Sequence, residues 1–382
     1  MLANKIGRSR TAGRPHFLAL LVLLAVPLRA DSPLADLATH GHWKRLKAQI
    51  EPRAATNPND AEAQWLLSRV RMAYRDPDGA LAPAEKAAAL DRRSADYQFQ
   101  VAQVVGQLAS SASFFKQMGL GKRYKREVEA VLAIDPKHTE ALAGLMEFYN
   151  RAPAIVGGDK KKAAQIVDQI MAINPVDGCI AKVRLLGQQS PVPLGEIEQA
   201  WVQAVQADQS RYEPHANLAN IYSSGASPRW ELAEKEALNA RRIDADRALP
   251  YVVLAGAYAA RERWADLDTV LADAEKQIPD NLTPYLRAAN TLLAAGKDLS
   301  RAERYARKYL AQEPEPTATT HAVAHWRLGL ILEKLGRKAD AVSEVETAVK
   351  MDPKLEGAER DLKRLKSSTP PNEPRAARND LK

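Results

Sequence analysis

The chain has 382 residues, of which 46% are hydrophobic and only 6% aromatic, and its formal net charge is +8. No run of alternating β-branched residues predicts a sheet, which excludes the sheet-based enzyme folds and favours an all-helical chain. Five of the positive charges lie in residues 1–30, which contain no acid, so about +3 remains for the rest. The basic balance is therefore weak support for nucleic-acid binding, and we predict none.

Residues 1–30 have the order of an export signal. A basic, polar stretch over residues 1–16 precedes the apolar run Phe17–Leu28, and Ala30 stands before Asp31. Twelve apolar residues are too few to span a bilayer, whereas this order is typical of a cleaved signal peptide. We predict an exported protein, periplasmic or secreted, that is cut after Ala30 and keeps no stable membrane span.

The chain has a single cysteine, Cys179, which we interpret as a small buried residue rather than a nucleophile.

From residue 34 onward the chain reads as a series of helix pairs. The predicted divisions are a degenerate N-terminal repeat over 31–59, units with elongated helices over 60–177, regular units over 178–354, a capping helix over 355–366 and a disordered tail over 367–382. Residues 94–138 hold about ten more residues than a regular 34-residue unit. These units fill the chain and leave no room for a separate catalytic domain.

The clearest unit is Ala322–Leu355. Small residues stand where two helices must approach closely, larger apolar residues stand between them, Gly336 ends the first helix and Pro353 ends the second. Positions 7, 8, 11, 15, 20, 24, 27 and 32 carry Leu328, Gly329, Leu332, Gly336, Ala341, Val345, Ala348 and Pro353. The unit resembles the tetratricopeptide repeat. That resemblance implies an all-α, right-handed superhelical solenoid of about eight repeats with an extended concave face.

A second, narrower resemblance covers residues 94–177. The phrase Phe148-Tyr-Asn-Arg-Ala-Pro-Ala-Ile-Val-Gly-Gly158 is similar to one found in a group of exported bacterial tetratricopeptide-repeat proteins, with an Ala-Pro-x-x-x-Gly-Gly loop between two helices. The resemblance implies a bacterial envelope location. It transfers no activity and no site residue.

The repeat resemblance also implies which side chains face a partner, because certain first-helix positions line the concave face. Asn220 and Asn290 occupy the same position two units apart, and amides can both donate to and accept from a peptide backbone. The predicted partner-binding residues on the concave face are Glu147, Asn150, Arg151, Glu213, Asn220, Ser223 and Asn290.

Two other groups of residues could form a binding site, but the sequence favours a purely structural role for each. The Gly157–Gly158 loop, followed by Lys160, Lys161 and Lys162, could hold an anion, but without a preceding strand a plain inter-helix turn is favoured. The pairs His321/His325 and His40/His42 could share a metal, but two ligands do not make a site. We predict no metal, no cofactor and no catalytic residue, and hence a protein that is not an enzyme.

Two functions stay open. The first is a non-enzymatic scaffold in the bacterial envelope that holds a protein or peptide on its concave face; homo-oligomerisation is left open. The second is a periplasmic binder of a small solute or lipid, associated with transport, whose pocket is built from the elongated helices of residues 94–177. A scaffold should show an open polar groove across several units, whereas a ligand binder should show one closed apolar pocket.

Overall fold

A computed structural model describes residues 32–367, which form nineteen α-helices, one short 3₁₀ helix and no strand. The predicted signal peptide and the predicted tail beyond Ser367 lie outside this range. The first ten helices are α1 Pro33–His40, α2 Trp43–Thr56, α3 Ala61–Ala73, α4 Pro77–Leu90, α5 Ala95–Ser111, α6 Phe114–Ile134, α7 Thr139–Arg151, α8 Lys160–Ile173, α9 Pro175–Leu186 and α10 Leu194–Ala207. The others are α11 Tyr212–Tyr222, α12 Trp230–Ile243, α13 Ala248–Ala260, α14 Trp264–Gln277, α15 Thr283–Ala295, α16 Leu299–Leu310, α17 His321–Lys334, α18 Lys338–Met351 and α19 Glu356–Ser367.

Each helix packs on the next one in the chain, and neighbouring units also meet through their first helices. Several helices begin directly after a Ser, Thr, Asp or Asn whose side chain accepts a backbone N–H of the first turn. These capping residues include Ser32, Asp60, Asp76, Ser94, Asp159, Asn174, Asp298 and Thr320. The packed helices of the C-terminal half share one continuous hydrophobic core, whose buried residues run from Val176 to Leu365. The predicted all-α solenoid fold is confirmed.

The last unit shows why small residues are needed at its close contacts. Gly329, on α17, faces α18: a Cβ there would lie 2.5 Å from Cγ2 of Val345 and 3.0 Å from the carbonyl oxygen of Ala341. Ala341 and Ala348 are fully buried in the same contact. Gly336 follows α17 with φ +77°, a conformation that glycine adopts readily.

The extra residues of the N-terminal half are placed in two different ways. In the unit 94–138 they lengthen the helices, so that α5 has 17 residues and α6 has 21. In the unit 139–177 the helices are of ordinary length, with 13 residues in α7 and 14 in α8. There the extra residues form the connection, which contains the 3₁₀ helix Ala154–Val156. Elongated helices are thus confined to one of the three units over 60–177 predicted to have them.

The chain also returns on itself, because the first helix pair contacts loops of the last units. His42, at the start of α2, donates from Nδ1 to the Asp280 carboxylate at 3.1 Å and from Nε2 to the Asp246 carbonyl at 3.0 Å. Arg45 pairs with the same Asp280, with Nε 2.8 Å from Oδ2. The backbone N–H of Lys44 donates to Oε2 of Glu315 at 3.2 Å. We call this junction the closure contact.

Within residues 32–367, no helix combines the length and the apolar character that a crossing of the bilayer demands.

Cys179 is buried as predicted, and burial raises the pKa of its thiol. A thiol in these surroundings is a poor nucleophile.

Candidate functional site

A cleft of about 1050 Å³ lies among the first helices of three successive units, α3, α5 and α7, and the N-terminal half of α6. The connection after α7 forms one wall. Trp43 of α2 and Thr317 of the α16–α17 loop also border it, so residues far apart in the chain meet at this cleft. Its lining residues are Trp43, Arg69, Met72, Ala73, Gln100, Gln103, Gly106, Gln107, Ala109, Ser110, Gln117, Met118, Gly121, Lys122, Tyr124, Glu147, Phe148, Arg151, Ala152, Pro153, Ile155, Val156 and Thr317.

A row of amides crosses the cleft along α5. Gln100, Gln103 and Gln107 are spaced three and four residues apart, which places them on one face of the helix. Gln100 is buried and donates to the hydroxyl oxygen of Ser68 at 3.0 Å. Gln103 and Gln107 are exposed and leave their amides to solvent or to a ligand. Such amides can both donate to and accept from a peptide backbone.

Tyr124 of α6 fits between two glycines. A Cβ on Gly106 would lie 3.0 Å from Cε2 of Tyr124, and one on Gly144 would lie 2.5 Å from the Tyr124 hydroxyl oxygen. Burial raises the pKa of Tyr124 to about 12, with a further contribution from the charge of Glu147. The tyrosine is therefore neutral at physiological pH and forms a fixed part of the cleft wall.

The charged residues of the cleft are predominantly basic. Arg69, Lys122 and Arg151 line it with a single acid, Glu147. Glu147 also faces Arg184, whose Nη1 lies 3.9 Å from its Oε1. This charge distribution favours a ligand that carries a carboxylate or another anionic group.

Apolar side chains at the rim are unusually exposed for their type. Ile155, in the connection after α7, is 91% exposed, and Met118 of α6 is 37% exposed. Both line the cleft with Met72, Phe148 and other apolar groups. Exposed apolar side chains beside polar ones are typical of interaction surfaces.

The Gly157–Gly158 loop is a structural turn that shapes this wall. Gly157 has φ +98°, and a Cβ on Gly158 would lie 1.7 Å from the carbonyl oxygen of Ala152. The N–H groups of Gly157, Gly158 and Asp159 donate to the carbonyls of Ala154, Pro153 and Tyr149. The Asp159 side chain caps α8 by accepting the N–H groups of Lys161 and Lys162. These amides are engaged within the protein, which supports the turn interpretation over an anion site.

Two of the seven predicted partner-binding residues, Glu147 and Arg151, line the cleft. Asn150 lies beside them but donates to Oε1 of Gln188 at 2.8 Å. Glu213 instead borders a second, smaller cleft of about 660 Å³ and contacts Arg211 and Arg247.

The remaining three predicted residues lie in the C-terminal half and are not brought to either cleft. Asn220 is exposed on α11. Ser223 is buried, and its hydroxyl donates to the Asn220 carbonyl at 3.0 Å. Oδ1 of Asn290 is buried without a hydrogen-bond partner in the described part of the chain. Of the three, only Asn220 is fully open to a partner in this conformation.

Sequence reasoning missed the amide row of α5 and the basic and apolar groups of α6. A signal existed, because the ten-residue excess of the unit 94–138 marks the stretch where α5 and α6 extend beyond their neighbours. It also missed the closure contact. The two histidine pairs considered as metal ligands have separate surroundings. His321 Nε2 donates to the Gln312 carbonyl and His325 Nδ1 donates to Glu344 at 2.7 Å, whereas His42 lies in the closure contact.

Comparison with known proteins finds no matching family model and no match among curated proteins. Solved structures similar to this chain include yeast Tom70, with 14% identity, a TM-score of 0.45, and coverage of 87% of this chain and 80% of that one. A tetratricopeptide repeat protein from Parabacteroides merdae is 14% identical, with a TM-score of 0.37 and coverage of 80% and 98%. The APC/C hetero-tetramer Cut9–Hcn1 is 12% identical, with a TM-score of 0.45 and coverage of 87% and 62%. Residues 32–367 form an all-α solenoid of stacked helix pairs, whose sequence pattern resembles that of tetratricopeptide repeats.

Proposed function

We propose that this protein is a non-enzymatic scaffold that binds a segment of a partner protein in the cleft formed by α3, α5, α6 and α7. The observation that carries the proposal is the cleft itself. It crosses three successive units, and its volume of about 1050 Å³ reaches the upper end of the range for small-molecule sites. Its lining alternates apolar side chains, amides and basic groups rather than enclosing one apolar chamber.

The lining defines the chemistry of the partner. Exposed amides at Gln103 and Gln107 suit the N–H and C=O groups of an extended or turned backbone. Met72 and Met118 offer adaptable apolar contacts, since methionine fills irregular spaces. Arg69, Lys122 and Arg151 favour an acidic residue beside the apolar ones. A segment with two or three apolar anchors and at least one carboxylate fits these properties.

A second candidate function, binding of an anionic amphiphile such as a fatty acid or lipid, is favoured by one observation. The cleft is built mostly from the elongated unit 94–138 and the unit that follows it, so a single ligand could fill it. Native mass spectra of the purified protein would then show one retained small molecule per chain.

The scaffold proposal is tested with peptides selected against the purified protein from a displayed random library. We expect enriched peptides with apolar residues next to an acid, and titration calorimetry should show about tenfold weaker binding, or ~1.4 kcal/mol, for Arg151→Glu. Arg242→Glu is the matched control, because Arg242 is exposed on α12 away from the cleft. Enrichment of peptides that bind both variants equally, and that lose affinity only when Asn220 and Asn290 are replaced by alanine, would contradict the cleft assignment.

Export to the bacterial envelope is part of the proposal. It is supported by the basic, apolar and small residues in order over residues 1–30 and by the resemblance of the Ala152–Gly158 loop to exported proteins. N-terminal sequencing of the protein from a periplasmic fraction should begin at Asp31. A chain that begins at Met1 and fractionates with the cytoplasm would exclude export.

A further inference from the structure

The closure contact joins three side chains that could ligate a cation. His42 of α2, Asp280 of the α14–α15 loop and Glu315 of the α16–α17 loop each offer one ligand atom, and these atoms all lie within 4.8 Å of one another. His42 Nδ1 is 3.1 Å from Oδ1 of Asp280. Tetrahedral zinc with bonds of 2.0–2.2 Å separates its ligand atoms by roughly 3.3–3.6 Å. The His42–Asp280 pair must therefore open slightly to admit the ion.

Glu315 supplies a second, independent observation. The residue is 1% exposed, and its Oε1 is buried without a hydrogen-bond partner in residues 32–367. Its other oxygen, Oε2, accepts the N–H of Lys44 at 3.2 Å. A buried carboxylate oxygen that lacks a partner is costly, and beside the second carboxylate of Asp280 the cost rises further. A cation between the two carboxylates removes both penalties.

The residues that contact the three proposed ligands, Asp246 and Arg45, are arranged like those that support the ligands of known metal sites. A ligating imidazole generally donates its other ring N–H to a carboxylate or carbonyl. His42 does so: Nε2 lies 3.0 Å from both the carbonyl oxygen and Oδ1 of Asp246. Arg45 also holds the Asp280 carboxylate, with Nε to Oδ2 at 2.8 Å and Nη2 to Oδ1 at 3.1 Å.

We propose that His42, Asp280 and Glu315 bind one divalent first-row transition cation, with zinc the best match. One imidazole and two carboxylates suit zinc, which accepts mixed nitrogen and oxygen ligands, better than magnesium or calcium, which prefer oxygen alone. A water completes four-coordination. Binding displaces the proton on Nδ1, because a metal ligand must be deprotonated. The cation ties α2 to two loops of the last units and so strengthens the closure contact.

The test uses zinc as the probe. Purified protein is treated with a chelator, dialysed and titrated with Zn²⁺ by calorimetry and native mass spectrometry. We expect one zinc per chain in wild type and unchanged affinity in His325→Gln. Glu315→Gln should lower the affinity by at least about tenfold, because even the loss of a group that only orients a ligand costs that much. Glu315→Gln keeps the side-chain shape and removes a buried charge, so its fold should persist, which circular dichroism verifies. The absence of bound zinc in wild type, or equal binding by Glu315→Gln, would overturn the proposal.

A second readout separates this site from adventitious binding. Hydrogen exchange should slow in α1 and α2 when zinc is added to wild type, and should not change in Glu315→Gln. Slowing in both proteins would contradict the proposed ligand set. Equimolar Mg²⁺ should not displace the zinc. Displacement of zinc by Mg²⁺ would contradict a ligand set of one imidazole and two carboxylates.

Discussion

Replacing Asp280 by alanine should release the first helix pair and destabilise the chain by about 2–4 kcal/mol. Burial alone would raise the pKa of Asp280, but hydrogen bonds from His42 and Arg45 outweigh it and hold the pKa well below its usual range. The variant leaves the His42 imidazole buried and removes the partner of Arg45. Arg45 itself is 40% exposed and can turn to water, which places the expected loss in the lower half of the range.

Hydrogen exchange measures this release locally, which matters because repeat arrays unfold in parts rather than as one unit. The Asp280→Ala protein should lose protection in α1 and α2 while α17 and α18 keep theirs. Asp273→Ala is the matched control, since Asp273 meets Arg241 at 3.3 Å on the surface and its side chain is 49% exposed. We expect that control to cost at most about 1 kcal/mol. Unchanged protection of α2 in Asp280→Ala would show that the closure contact does not hold the helix pair.

Replacing Gly158 by alanine should cost about 3 kcal/mol or more, because the new Cβ would lie 1.7 Å from the backbone oxygen of Ala152. No rotamer can relieve a collision between two backbone-fixed atoms, so the connection after α7 must move. That connection carries Ile155 and Val156 into the cleft wall. Denaturant unfolding should therefore show lower stability, and calorimetry should show weaker binding of a selected peptide.

Gly119→Ala provides the control for that substitution. Gly119 lies inside α6, and a Cβ there would meet no atom within 4 Å. The same chemical change should stabilise α6 by up to about 1 kcal/mol, because alanine loses less conformational entropy in a helix. Equal effects of the two substitutions would mean that the Gly158 contact does not constrain the loop.

The repeat fold could be predicted from sequence because its determinants are local. In the unit Ala322–Leu355 the small residues, the turn glycine and the terminal proline recur at helical spacing, and α17 and α18 end where Gly336 and Pro353 require. The same logic located the long unit over 94–138. It placed Ala152–Gly158 between two helices, where the structure has it, but it extended the elongated helices over all of 60–177. The reason is that a count of extra residues in a repeat register does not show which helices they lengthen.

The candidate site was predicted only in part, and for a physical reason. Glu147 and Arg151 were found because their positions in a repeat face inward. The amide row of α5 was missed because Gln103 and Gln107 look like solvated residues of any surface helix. The closure contact joins His42 and Asp280, which are 238 residues apart. No periodic pattern relates two such residues, so only the assembled solenoid brings them together.

The central claim, that the cleft of α3, α5, α6 and α7 holds a protein segment, is tested most directly by methyl NMR. The chain outside residues 1–30 contains five methionines, of which Met72 and Met118 line the cleft and Met351 is exposed on α18. With ¹³C-methyl methionine and an unlabelled selected peptide, we predict saturable shifts of the Met72 and Met118 signals while Met351 stays fixed. A peptide that binds without shifting Met72 or Met118 would contradict the account.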